Sequence, residues 1–191
     1  MTPVDQPKRR WPRDQAIAVA RELCQHLTPV CERIIVAGSL RRGKSTVGDV
    51  EILFIPRTAI RTIDLFSSGP VSMADEEIQR MLDAGILTKR IGSNGHTAWG
   101  DKNKLAVHRS GIPVDLFAST WENWWNYLVC RTGPAESNIR IANAALALGY
   151  RWNPYGPGYT RLADGEVILM DSEEAVFRFV GLPFNEPTNR Q

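Results

Sequence analysis

Asp49 and Glu51 stand two residues apart at the start of a short apolar run that ends at Pro56, and both follow a small glycine turn, Gly38-Ser39-Leu40-Arg41-Arg42-Gly43. Side chains at i and i+2 of a strand share a face, so this spacing sets two carboxylates side by side. Adjacent carboxylates repel each other unless a cation lies between them. A divalent metal with oxygen ligands, magnesium foremost, suits such a pair. The plainer alternative is a strand leaving a polar turn with two acids on its solvated edge. A third acid weighs against it. Asp115 interrupts the apolar run Ile112-Pro113-Val114-Asp115-Leu116-Phe117, where an unpaired buried charge is costly and the same cation would satisfy it. Three carboxylates on neighbouring strands, beside a serine and arginines, have the composition of a two-metal site for phosphoryl transfer.

The elements that must position these groups are legible at coarse grain. Residues 33–37 and 51–56 read as strands on either side of the glycine turn. Pro12, then Ala16, Ile17, Ala20, Leu23, Cys24 and Leu27 at helical spacing, predict an amphipathic helix that ends before Thr28-Pro29 and packs on the sheet. Residues 67–70 read as a loop, 75–85 as a helix with Ile78, Met81 and Leu82 inward, and 87–90 and 104–108 as strands joined through a turn at 92–95. Beyond Trp121 the pattern turns helical. Trp121, Trp124, Trp125 and Leu128 recur at three-to-four spacing, which predicts a core face rather than a platform for stacking bases. A second helix runs over 138–148 and ends at Gly149, followed by short strands, a turn at Asp164-Gly165 and a helix over 173–180.

Composition sets the outer bounds. With 191 residues, 43% of them hydrophobic, the chain can bury a substantial core, as one domain or two small ones. It has neither an apolar stretch of membrane-spanning length nor the apolar core of a signal peptide near its start, which predicts a protein retained in the cytoplasm and not secreted. Cys24, Cys31 and Cys130 show no zinc-ligand spacing and read as reduced packing residues; His26, His96 and His108 are scattered. The net charge of +2 is modest for a nucleic-acid binder, but it is uneven. From Ser119 onward six arginines face eight acids, a net of −2, which leaves +4 on the first 118 residues. The clearest basic clusters are Lys8, Arg9, Arg10 and Arg13, and then Arg41, Arg42 and Lys44 beside the carboxylates.

Taken in order, Gly38-Ser39, Arg41-Arg42-Gly43, Gly48-Asp49-Val50-Glu51, Val114-Asp115 and Thr132-Gly133 followed by Asn138 resemble the palm and thumb of the family X DNA polymerases. Residues 171–177 and 181–190 resemble that family's closing thumb segment, so the likeness spans nearly the whole chain. The resemblance implies an α+β fold: a nucleotidyltransferase palm, with a mixed sheet and helices on one face, over residues 10–119, then a small α/β thumb over 120–191, after a flexible arm at 1–9. It implies that Asp49, Glu51 and Asp115 hold two magnesium ions, with manganese a possible substitute, and that Arg10, Gly38, Ser39, Arg42, Gly48 and Gly133 bind the nucleotide. Asn138 would touch the minor-groove edge of the incoming base, and Tyr155 would reposition as the thumb closes. The implied partners are primer-template or gapped DNA and a nucleoside triphosphate, for a monomer of microbial or viral origin working in DNA repair or gap filling.

The departures matter too. Glu51 stands where the family usually has aspartate, Cys130-Arg131 where many members have the Tyr-Phe pair of the sugar pocket, and Pro113 and Ala142 where relatives have arginines near the primer end and the template. These changes predict low fidelity and poor sugar discrimination, and the small number of basic side chains predicts weak, salt-sensitive DNA binding. Two other functions stay open: a template-independent or ribonucleotide-using nucleotidyltransferase, and a non-catalytic module that binds DNA ends or nucleotides.

Overall fold

The structure, a computed structural model, describes residues 9–62, 68–92 and 95–190. Most of the expected arm at 1–9, with Lys8, lies outside these residues, as do Ser67, Ser93 and Asn94 of the expected loop and turn. A two-residue strand β1 (Trp11–Pro12) leads into helix α1 (Arg13–Leu27), which buries Ala16, Val19, Ala20, Leu23 and Leu27 at helical spacing. Strand β2 (Cys31–Val36) runs to the short helix α2 (Gly38–Arg41), and β3 (Thr46–Val47) pairs with β1. The apolar strand β4 (Val50–Pro56) follows.

Next come β5 (Thr58–Thr62) and β6 (Ser68–Ser72), which form an antiparallel pair of their own. The expectation of a loop at 67–70 is thus corrected. Gly69 and Pro70 suppress the strand signal, but opposite β5 they sit in a two-stranded ribbon where each strand is an edge and proline is tolerated. Helix α3 (Met73–Asp83) is capped by the Ser72 hydroxyl, which accepts from the Asp75 N–H at 3.1 Å. Strands β7 (Leu87–Lys89), β8 (Asn103–His108) and β9 (Pro113–Ala118) complete a five-stranded mixed sheet in the order β2-β4-β9-β8-β7. The β4–β9 pairing is parallel, and its register sets Glu51 opposite Asp115.

Alternation along β4 and β9 sends successive side chains to opposite faces. Val50, Ile52 and Phe54, with Val114 and Leu116, join the core formed with α1 and α3. Leu53, Ile55 and Phe117 point the other way and are covered by helix α4 (Trp124–Thr132) through Trp124, Tyr127 and Leu128. Trp121 does not join them: it precedes the helix and is 61% exposed, whereas Trp124 is 1% exposed. Helix α5 (Ala135–Ala147), strands β10 (Tyr150–Trp152), β11 (Gly158–Arg161) and β12 (Val167–Leu169), and helix α6 (Glu173–Phe179) build a second core around Ile141, Ala145, Tyr159, Val176 and Phe177. The Tyr159 hydroxyl donates to the Val176 carbonyl at 2.6 Å and so stays satisfied in that core.

A buried charge cluster joins the two parts. Glu173 accepts two bonds from Arg41, at 2.9 and 2.5 Å, and two from Arg190, both at 3.2 Å. Arg41 also donates to the Thr132 hydroxyl at 2.7 Å. The Arg41 of the basic cluster beside the carboxylates is therefore turned away from them, toward α6. Among the described residues, no helix is long and apolar enough to cross a membrane. The three cysteines are free thiols.

Candidate active site

Glu51 and Asp115 share the sheet face that α4 covers farther along, and they lie toward the N-terminal ends of β4 and β9. On one face, then, the same two strands are acidic at one end and apolar at the other. Asp49 sits just ahead of β4, next but one to Glu51. Burial first, then the Asp49 and Asp115 charges, push the Glu51 carboxyl up to about 7, while Arg131 and Arg42 pull it down. Burial beside two like charges disfavours the ionised form of a carboxyl group.

The glycine turn closes over this cluster. The Ala37 N–H donates to the Glu51 carbonyl at 2.8 Å, which fixes the turn to the strand. Gly38 has φ of 62°, and a Cβ there would lie 1.8 Å from Glu51 Oε2, so only glycine admits the carboxylate so close to the backbone. Gly48 is buried directly before Asp49, and Ser39 is half-buried on the turn.

The expected nucleotide-binding residues come from both parts of the molecule. Arg42 donates to the Thr132 carbonyl, and its guanidinium lies against Gly133, where a Cβ would meet Arg42 Nη1 at 3.2 Å. Its Nε is buried with no hydrogen-bond partner in the structure, and burial holds its pKa below the usual guanidinium range. Arg10 is exposed and donates to the Thr46 carbonyl at 2.5 Å. Asn138 donates to the Cys130 carbonyl at 2.9 Å, which leaves its Oδ1 buried and without a partner. Tyr155 meets Tyr127 edge to face at 5.3 Å.

Two arginines that sequence reasoning did not assign also reach this site. Arg131 lies with its guanidinium 3.7 Å above the Phe117 ring, flanked by Tyr127 and Tyr155 at 5.4 and 5.3 Å, and its field acts on Glu51. Arg90, at the end of β7, makes an ion pair with Asp115 at 2.8 Å. The lone charge on β9 thus has a protein partner, whereas the sequence had suggested only a cation for it. The signal was present in the period-two pattern, but it becomes visible only once β7, β8 and β9 are known to be neighbours.

An all-oxygen donor set of three carboxylates fits a hard divalent cation by its chemistry. Among the described residues, no three acid, histidine or cysteine side chains are already gathered into a metal cage. The reason is local: Glu51 packs on Gly38 and Asp115 leans to Arg90. What the arrangement offers is crowded negative charge on one wall and arginine from a glycine turn on the other, which is a setting for a polyphosphate and its metal.

Comparison with known proteins agrees with this geometry. The family model of the DNA polymerase beta palm matches residues 10–109, and that of the DNA polymerase beta thumb matches residues 127–191. The chain is 27% identical to the DNA polymerase/3′-5′ exonuclease PolX of Bacillus subtilis, over 97% of this chain and 29% of that protein. It is 24% identical to DNA polymerase lambda of Rattus norvegicus, over 95% of this chain and 33% of that protein. It thus spans about a third of the length of the curated relatives it matches. A crystal structure of Leishmania infantum polymerase beta, described as a ternary P/T complex, shares the fold with a TM-score of 0.72 at 20% identity, covering 96% of this chain and 77% of that one. With both family models matched in order over most of its length, the chain belongs to the family X DNA polymerases, in their palm-and-thumb form.

Proposed function

We propose that this chain transfers a nucleotide from a nucleoside triphosphate to the 3′-hydroxyl of a DNA primer and releases pyrophosphate. The observation that carries this is the cross-strand register of Glu51 and Asp115 beside the Gly38 turn, within a fold of this family. In the reaction the 3′-oxygen bonds to the α-phosphorus, the bond from that phosphorus to the bridging oxygen of the β-phosphate breaks, and the hydroxyl proton is released. Asp49, Glu51 and Asp115 would hold two magnesium ions, which lower the pKa of the 3′-hydroxyl and neutralise the triphosphate and the departing pyrophosphate.

The chain's own groups do the rest. Arg42, already half-desolvated and with Nε unsatisfied, presents a fork of donors to the phosphates. Ser39 and the turn at Gly38 add a hydroxyl and close backbone approach, Gly133 leaves room beside Arg42, Gly48 is buried next to Asp49 as a further nucleotide-binding position, and Arg10 extends the positive rim. Asn138, held by the Cys130 carbonyl, would meet the edge of the incoming base, and Tyr155 would move with the thumb. We assign residues 10–119 to the palm and 120–191 to the thumb. Primer-template or gapped DNA is the substrate that fits, and gap filling in repair is the matching role.

Low fidelity is part of this reading, and the aliphatic side chains that α5 presents to solvent support it. Ile139 and Leu146 are 58% and 55% exposed, and Ala142 lies on the same side one turn from Ile139, so this face offers few groups to grip a template. The test is extension of a labelled primer alone, on template and on gapped template, with each deoxy- and ribonucleotide and with Asp115→Ala as control. Template-directed addition lost in the variant is the expected result. Addition only without template would make the chain a terminal-type transferase, and no addition with any divalent metal would leave a binding module.

A further inference from the structure

Three adjacent strands line up one cross-strand row on the carboxylate face. Glu51 on β4 is opposite Asp115 on β9, and Asp115 is opposite Leu105 on β8. The Arg90 N–H donates to the Leu105 carbonyl at 2.9 Å, which continues the row to the end of β7. Arg90 and Asp115 are therefore two strand spacings apart, about 9–10 Å at the backbone. Only a long side chain crosses that gap. The Arg90 guanidinium does so over Leu105 and reaches Asp115 Oδ1 at 2.8 Å, with Arg90 27% and Asp115 16% exposed in their side chains. Lys104, the cation of the adjoining strand, points to the opposite face and is bound to Asp75 on α3 at 2.8 Å, so it does not compete for Asp115.

We infer that Arg90 is a positioning residue for Asp115: it occupies one carboxylate oxygen, orients the other toward the reacting centre, and competes with a metal ion for the same charge. This rests on the nucleotidyl transfer proposed above. Groups that hydrogen-bond or pair with a ligating carboxylate set its direction and basicity, and their loss commonly costs about 10–100-fold in affinity or activity. A competing cation has the opposite effect on metal binding, since its removal frees charge for the ion. Arg90 therefore has two effects of opposite sign, which a purely structural ion pair would not show.

The experiment compares the unsubstituted 191-residue chain with Arg90→Gln and Arg90→Lys in two measurements: binding of Mn2+ alone, followed by the EPR signal of the free ion, and steady-state primer extension. The glutamine variant is expected to bind Mn2+ about threefold more tightly, the scale of one partly exposed ion pair. Its kcat should nevertheless fall by about tenfold with little change in KM for the nucleotide. The lysine variant, keeping the charge, should return both values most of the way to wild type. Wild-type Mn2+ binding and kcat in the glutamine variant would overturn the inference. So would a joint fall in metal affinity, kcat and melting temperature, which marks a purely structural pair, or a loss confined to DNA affinity. If the wild type extends no primer, the nucleotidyl-transfer reading fails and the Mn2+ titration alone decides the role of Arg90.

Discussion

The palm and thumb faces that flank the site are built on opposite terms. In the palm, charge is concentrated: three carboxylates lie with Arg42 and Arg90 about the start of two parallel strands, and Arg131 reaches toward them from α4. On the thumb, α5 turns Ile139 and Leu146 outward and keeps Ser137, Ile141 and Ala145 inward. The contrast is one of surface chemistry: clustered charge on one side and exposed aliphatic side chains on the other.

The palm side should be the most sensitive to change. Asp115→Ala is expected to lower single-nucleotide incorporation by about a thousandfold or more, some 4 kcal/mol of barrier, measured against wild type at saturating nucleotide. The junction between the two regions comes next. Glu173→Ala strips a buried carboxylate from Arg41 and Arg190, and removing one partner of such a cluster costs about 3–5 kcal/mol, readable in urea unfolding. A loss well under that would mean palm and thumb are joined mainly by apolar contact. Gly38→Ala should cost about 2 kcal/mol, from the left-handed backbone and the displaced Glu51 carboxylate, and should depress incorporation as well as the melting temperature.

Acidity offers a reading of the palm that needs no substrate. Glu51 titrates near 7 in the fold and lower when unfolded, so between those values the folded chain binds the extra proton and stability falls as pH rises. Without divalent ions the protein should melt higher at pH 5.5 than at 7.5, by on the order of 2 kcal/mol before any solvent screening. Glu51→Gln should flatten that dependence, as should added magnesium at the higher pH. The smallest effect belongs to the thumb. Ala142→Arg should tighten DNA binding and steepen its dependence on the logarithm of salt concentration by about one unit, as one added phosphate contact does. No change in slope would mean that DNA does not pass along α5.

How much was legible depended on the range of the interaction. The helix over Arg13–Leu27, the strand after Asp49, the turn at Gly38 and the three carboxylates follow from period, glycine and local charge, all carried within a dozen residues. The ribbon at 68–72 was missed because its partner strand, not its composition, makes it a strand. Trp121 was misread because helical spacing continues across a helix start that only the tertiary fold sets.

By itself the sequence determined which groups are candidates for chemistry and most of the elements that carry them, because side-chain type and local periodicity are properties of the chain. The tertiary structure decided who faces whom: Arg90 on Asp115 across two strands, Arg41 on Glu173 rather than on the carboxylates of the palm, and Arg131 among three aromatic rings. Strand order and register are sums of many weak long-range contacts, and no single stretch of sequence specifies them.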